Sequence, residues 1–244
     1  MGQDYIAVLG GSETYGRFVP TPYPDLLQEW LGLPVVNLGC PNAGAEVFAH
    51  DPGVIATANR ARAVIVQVLG AQNLSNRFYA VHPRRNDRFI GATPALRSLY
   101  RNIDFTEFSF TRHLLQALQR AGRDRFELVA RELREVWVER MTALLATISV
   151  PVVLVWIGDH APPVRMTRAD LTTLPMLVDA EMIAAVRCRA AGYAEVVLSR
   201  HARAEGIASM SFAPLEAPLA REMPGPAAHR EMASGLSDVL EGLL

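Results

Sequence analysis

Apolar residues fall in two patterns along this chain. Short, nearly continuous runs alternate with stretches whose apolar positions repeat every three or four residues. The runs are Tyr5–Leu9, Pro34–Leu38, Ala63–Leu69 and Pro151–Ile157, and each stops at a glycine or just before one: Gly10, Gly39, Gly70 and Gly158. A strand apolar at every position is buried on both faces, as in a parallel sheet covered by helices. Ile207–Ser211 is a weaker candidate for a further strand. The helical stretches begin with Pro24–Leu33, where Leu26, Leu27 and Trp30 share a side. Thr93–Arg101, Thr111–Gln119 and Arg123–Ile148 follow, and Ala227–Leu244 reads as a closing helix. In Arg123–Ile148, Phe126, Val129, Leu133, Val136, Trp137 and Met141 form an apolar stripe of the kind that packs on a core.

Strands alternating with helices predict a three-layer α/β fold, flavodoxin-like, with about five parallel strands in the order 2-1-3-4-5 and right-handed crossovers. The length fits one domain over residues 1–244, with a helical insertion at about 90–148 between the third and fourth strands. The formal net charge of −1 argues against nonspecific nucleic-acid binding. All 24 basic residues are arginine, so lysine chemistry, whether Schiff base or P-loop, is excluded. The two cysteines, Cys40 and Cys188, form no Cys-x-x-Cys pair. Asp104, Glu107, His113, Asp159 and His160 show no metal-type spacing, so neither metal nor cofactor is implied. With no leader pattern and no membrane-length apolar run, the expectation is a soluble cytoplasmic protein without a membrane partner. Oligomeric state is not legible.

The chemistry gathers at strand ends. Gly10-Gly11-Ser12 follows the first strand, where two glycines allow a tight turn and a serine is presented at the carboxyl edge of the sheet. The plainer reading makes Ser12 a helix N-cap. Asn37-Leu38-Gly39-Cys40-Pro41-Asn42-Ala43-Gly44 follows the second strand, Gly70-Ala71-Gln72-Asn73 the third, and His229 stands near the start of the last helix. In this fold such loops converge beside strand one.

In order along the chain, these blocks resemble the SGNH (GDSL-like) hydrolase superfamily. Gly10-Gly11-Ser12 matches its Gly-Asp-Ser block, Asn37-Leu38-Gly39 with Gly44 its second, and Gly70-Ala71-Gln72-Asn73 loosely its third. His229 matches the histidine of Asp-x-x-His, while Pro226 replaces the aspartate. The resemblance implies Ser12 as nucleophile and His229 as its general base. It also implies an oxyanion hole from the backbone N–H groups of Ser12 and of Gly44 or its neighbour and the amide of Asn73, with Gln72 as the other side-chain donor in reach. Glu222 or a backbone carbonyl would then orient His229. The string from Asn73 to Arg88 further resembles an uncharacterised bacterial family. Ordinary roles compete at each position: His229 as a helix cap, Asn73 and Asn76 as loop-fixing side chains.

Asn76 to Arg88 reads as a loop past the third strand carrying Arg77, Arg84, Arg85, Arg88 and His82. Arginine forks suit phosphate, sulfate and carboxylate, and Tyr79 offers a stacking face. Asn76, Arg77, Tyr79, His82, Arg84, Arg85 and Arg88 are therefore the candidate substrate contacts; a solvated surface loop is the alternative. Three functions follow. The first is an SGNH-like hydrolase or acyl/ester-transfer enzyme on a small or carbohydrate ester, anionic or neutral. The second is an impaired binding or accessory protein holding an anionic glycan or phosphorylated ligand. The third is a sulfate-type transferase.

Overall fold

The computed structural model describes residues 4–244. In chain order the elements are β1 (Ile6–Leu9), α1 (Ser12–Tyr15), α2 (Tyr23–Leu31), β2 (Val35–Asn37), α3 (Ala45–Ala49), α4 (Pro52–Ala58) and β3 (Ala63–Gln67). Then come β4 (Tyr79–His82), β5 (Arg85–Ala92), α5 (Pro94–Leu99), α6 (Thr111–Ala121), α7 (Arg123–Thr147) and β6 (Val152–Gly158). The chain closes with α8 (Ala180–Arg187), β7 (Gly192–Val197), α9 (Arg200–Ala204), α10 (Ala217–Ala220) and α11 (Pro226–Glu241).

The central sheet has the strand order β2-β1-β3-β6-β7, all parallel, which is the expected 2-1-3-4-5. Alternation along each strand splits the core in two. Ala7, Leu9, Val64, Val66, Leu154 and Trp156 face one cluster, together with Leu133, Trp137 and Met141 of α7. Ile6, Val8, Ile65, Val153, Val155 and Ile157 face the other, with Leu27 of α2 and Met232, Leu236 and Leu240 of α11. Helices on both sides explain why the strands are apolar throughout. The stripe on α7 is core, as its spacing predicts; only Val136 stays partly exposed.

Two expectations change. The fifth strand is β7 and not Ile207–Ser211, where the chain makes turns and coil. As a sheet edge, β7 buries Ala194 and Val196 and exposes Glu195 and Val197, so it lacks the continuous apolar run of the inner strands. The arginine-rich stretch is no simple loop either: β4 and β5 pair as an antiparallel hairpin with an irregular register around Val81. Its inward side chains Tyr79, Val81 and Phe89 are buried in the α7-side cluster. The hairpin and α5 to α7 occupy the segment between β3 and β6, where the insertion is expected.

Buried polar contacts fix the strand ends. Trp137 Nε1 donates to Leu69 O (2.7 Å), just past β3. Glu46 of α3, almost fully buried, accepts from Arg140 of α7 (3.1 Å) and from the Ser75 N–H (3.2 Å), tying both elements to the loop after β3. No helix among the described residues is long and apolar enough to cross a membrane. Trp137→Phe removes one donor and part of a filled space. It is expected to cost about 1–3 kcal/mol, read as a lower urea midpoint at unchanged slope.

Candidate active site

The turn after β1 is held from beneath by one side chain. Gln67, at the end of β3, is buried in an otherwise apolar strand. Its Oε1 accepts from the Gly11 N–H (2.8 Å) and from the Thr14 hydroxyl (2.7 Å), and its Nε2 donates to Glu13 Oε2 (2.8 Å). The Thr14 proton being committed to Gln67, Tyr23 OH donates to Thr14 Oγ1 at 2.8 Å. A Cβ on Gly10 would lie 1.9 Å from Thr14 Oγ1, so only glycine fits there. Ser12 is the first residue of α1, with Gly11 as the cap position, so its side chain is free of a capping role.

The Ser12 hydroxyl, half-buried, accepts a hydrogen bond from the Asn42 N–H at 3.1 Å. Pairing past the end of β2 brings that loop alongside: Leu38 N–H donates to Val8 O and Cys40 N–H to Gly10 O, each at 2.9 Å. Asn42 has φ of +54°, a left-handed conformation that asparagine tolerates better than most residues. Its carbonyl accepts from Asn73 Nδ2 (2.8 Å), and Asn73 Oδ1 accepts from the Thr111 hydroxyl (2.6 Å) at the start of α6. Ser12, Asn42 and Asn73 are thus gathered in one place, but Asn73 meets the Asn42 carbonyl. The Gly44 N–H is taken: it donates to Asn86 Oδ1 (3.1 Å), which also accepts from the Val47 N–H (3.1 Å). Asn86, Thr111, Asn42 and Gln67 were not singled out from sequence. Only Gln67 carries a visible signal, an amide inside an apolar run.

His229 is bonded to a different partner. It is buried in the second turn of α11, in roughly stacked orientation against the Tyr23 ring (centroids 6.1 Å apart, planes 22°). Its Nδ1 accepts the Tyr23 N–H at 3.0 Å, the first helical N–H of α2, which has no partner within its own helix. An imidazole accepting at Nδ1 and neutral carries its proton on Nε2. A triad base needs the opposite tautomer, with Nδ1–H held by an acid and Nε2 free to take the serine proton. Burial also pushes the His229 pKa down to about 4. Among the described residues His229 makes no hydrogen bond to Ser12, and the tautomer that fits its bond to Tyr23 is not the one a dyad uses. The histidine caps a helix, and the helix is α2 and not its own.

The hairpin residues divide. Tyr79 is fully buried and donates its hydroxyl to Gln72 O (2.7 Å), so it offers no face to a ligand. Asn76 closes its own turn, Oδ1 accepting from the Phe78 (2.8 Å) and Tyr79 (3.2 Å) N–H groups. Arg77 is ion-paired with Glu132 (3.4 Å) and lies over Phe78. His82 is exposed and its Nδ1 accepts the Arg84 N–H (3.2 Å). Arg88 is half-buried, its guanidinium 4.2 Å from the Phe110 ring centre. Arg84 and Arg85 are exposed and, among the described residues, make no ion pair within 4.0 Å. The hairpin meets the loop after β2 through Asn86, whose Oδ1 accepts the Gly44 N–H (3.1 Å); burial and Asp87 push the half-buried Cys40 thiol pKa up, and Arg85 acts against them. A cavity of about 260 Å³ lined by Glu127, Arg131, Arg134 and Met166 borders α7, away from this edge.

The buried histidine has a pH signature. An unfolded histidine titrates near 6.5 and the folded one near 4, so the stability contribution is complete above pH 6.5 and is lost as pH falls towards 4. The loss is expected to approach about 3 kcal/mol. His229→Gln, which keeps an acceptor but does not titrate, removes that slope in urea titrations between pH 7 and 4. Parallel curves for the two proteins would show His229 to be accessible and chargeable when folded.

No curated protein matches the chain. Among solved structures it is similar in fold to phospholipase A1 from Streptomyces albidoflavus NA297, at 12% identity over 99% of each chain and a TM-score of 0.49. A lipase from a goat rumen metagenome is similar at 10% identity over 97% of each chain, TM-score 0.48. A putative lipolytic protein of the G-D-S-L family from Desulfitobacterium hafniense DCB-2 is similar at 14% identity over 97% of this chain and 99% of that one, TM-score 0.45. The model of a protein family described as a domain of unknown function (DUF6473) matches residues 1–244. The whole chain therefore belongs to that family.

Proposed function

We propose that this protein holds an anionic ligand, a phosphorylated or carboxylated small molecule or glycan, at the Ser12 edge, and that it does not turn over esters through a Ser–His dyad. The observation that carries this reading is the His229 tautomer: a ring accepting at Nδ1 from Tyr23 N–H is not a base for Ser12. Pro226 supplies no acid in its place. The anionic character rests on Arg84 and Arg85, two exposed guanidinium groups that among the described residues have no carboxylate within 4.0 Å, on a hairpin whose Asn86 bonds Gly44 of the loop beside Ser12. Hydrolysis or acyl transfer is the second reading. One observation favours it: a half-buried serine hydroxyl at the carboxyl edge of a parallel sheet with a backbone N–H directed at it.

Two measurements separate the readings. Hydrolysis of p-nitrophenyl acetate by the wild type is expected to match that of Ser12→Ala within a factor of two; a loss of tenfold or more in the variant would restore the hydrolase. Phosphate or sulfate is expected to raise the melting temperature more than chloride at equal ionic strength, because binding to the folded state stabilises it. The Arg84→Ala, Arg85→Ala double variant should lose that gain. Equal gains with chloride would make the hairpin ordinary surface.

A further inference from the structure

Two of the donors expected to receive a ligand oxygen are bonded within the protein. The Gly44 N–H is bound to Asn86, and the Asn73 amide faces the Asn42 carbonyl. The N–H that does reach the hydroxyl belongs to Asn42, at 3.1 Å. Two features hold it there. The backbone of Asn42 is left-handed, which turns its N–H towards Ser12 and its carbonyl towards Asn73. Behind it stands a buried chain of bonds, Thr111 hydroxyl to Asn73 Oδ1 and Asn73 Nδ2 to Asn42 O, fed from the start of α6. A left-handed non-glycine residue persists where its surroundings over-determine it, and such residues cluster at functional sites.

We propose that the Asn42 backbone N–H is the donor that receives a ligand oxygen at the Ser12 edge, and that Asn73 and Thr111 are positioning residues which act through it. The inference rests on the reading of this edge as the ligand site. Without ligand, Ser12 Oγ occupies the donor; an incoming carboxylate or phosphate oxygen replaces or shares that bond. The side chain of Asn42 has no part in it. The residue is needed for its backbone conformation, which glycine also adopts and a β-branched residue resists.

The test is titration with inorganic phosphate and, separately, acetate, followed by amide chemical shifts and calorimetric affinity. The Asn42 amide should move on saturation while that of Gly44 stays in place. Asn42→Gly should bind within threefold of wild type, and Asn42→Val at least tenfold more weakly. Thr111→Val should weaken binding several-fold and Thr111→Ser should restore it. This pair tests the buttress even if Asn42→Val does not fold. Wild-type affinity in Asn42→Val or Thr111→Val, or weakening in Asn42→Gly equal to that in Asn42→Val, overturns the inference. Binding that depends on Arg84 and Arg85 but leaves the Asn42 amide unmoved overturns it too, while leaving the ligand reading intact. An absence of binding to wild type overturns both.

Discussion

One buried amide organises the edge of this sheet. Gln67 lies in β3, whose neighbours along the strand are all apolar, and satisfies three groups on the turn after β1. Leaving a buried donor without a partner costs about 1–3 kcal/mol, so the turn has a strong preference for the one geometry in which Gly11, Thr14 and Glu13 all meet the amide. That geometry sets the path of α1, the glycine at position 10 and the direction in which Ser12 leaves the strand. Thr14 passes the constraint on to Tyr23 and so to α2, and its carbonyl receives Asn37 from β2 at 2.9 Å. Strands β1, β2 and β3 are therefore locked at their carboxyl ends by side chains as well as by their ladder.

The parallel sheet is legible in the sequence because its inner strands must be apolar on both faces, and that requirement leaves continuous runs such as Val64–Val66 and Val153–Ile157. The same rule hides β7. An edge strand needs only one buried face, and Tyr193, Ala194, Glu195 and Val196 alternate too briefly to announce it. The β4–β5 hairpin is hidden by its charge: a row of arginines reads as solvated loop, although Tyr79, Val81 and Phe89 are already spaced to face inward. Tyr79 shows how this misleads at the level of a site. Beside arginines an aromatic ring suggests stacking on a ligand, yet its large apolar area favours burial, and the hydroxyl finds a backbone carbonyl there.

The site was legible as a place and not as a mechanism. Strand ends converge by topology alone, and the loops carrying Asn42 and Asn73 lie beside Ser12. Which donors remain free is decided by residues whose partners are distant in sequence, such as Asn86 bonded to Gly44 and Thr111 bonded to Asn73. Nothing local marks an asparagine as a tertiary cap, since the same residue type serves turns, caps and oxyanions alike.

Ser12 and His229 draw their hydrogen bonds from different parts of the fold. The Ser12 hydroxyl is bonded by Asn42, which Asn73 and Thr111 hold from behind, and their neighbours Ala43, Leu74 and Leu114 belong to the cluster on the α7 side of the sheet. His229 is flanked by Ala228 and Met232 and bonded to Tyr23, all in the cluster on the α2 and α11 side. The histidine is inside α11, where its ring satisfies the buried first N–H of α2. There it serves helix packing, and its low pKa follows from that burial.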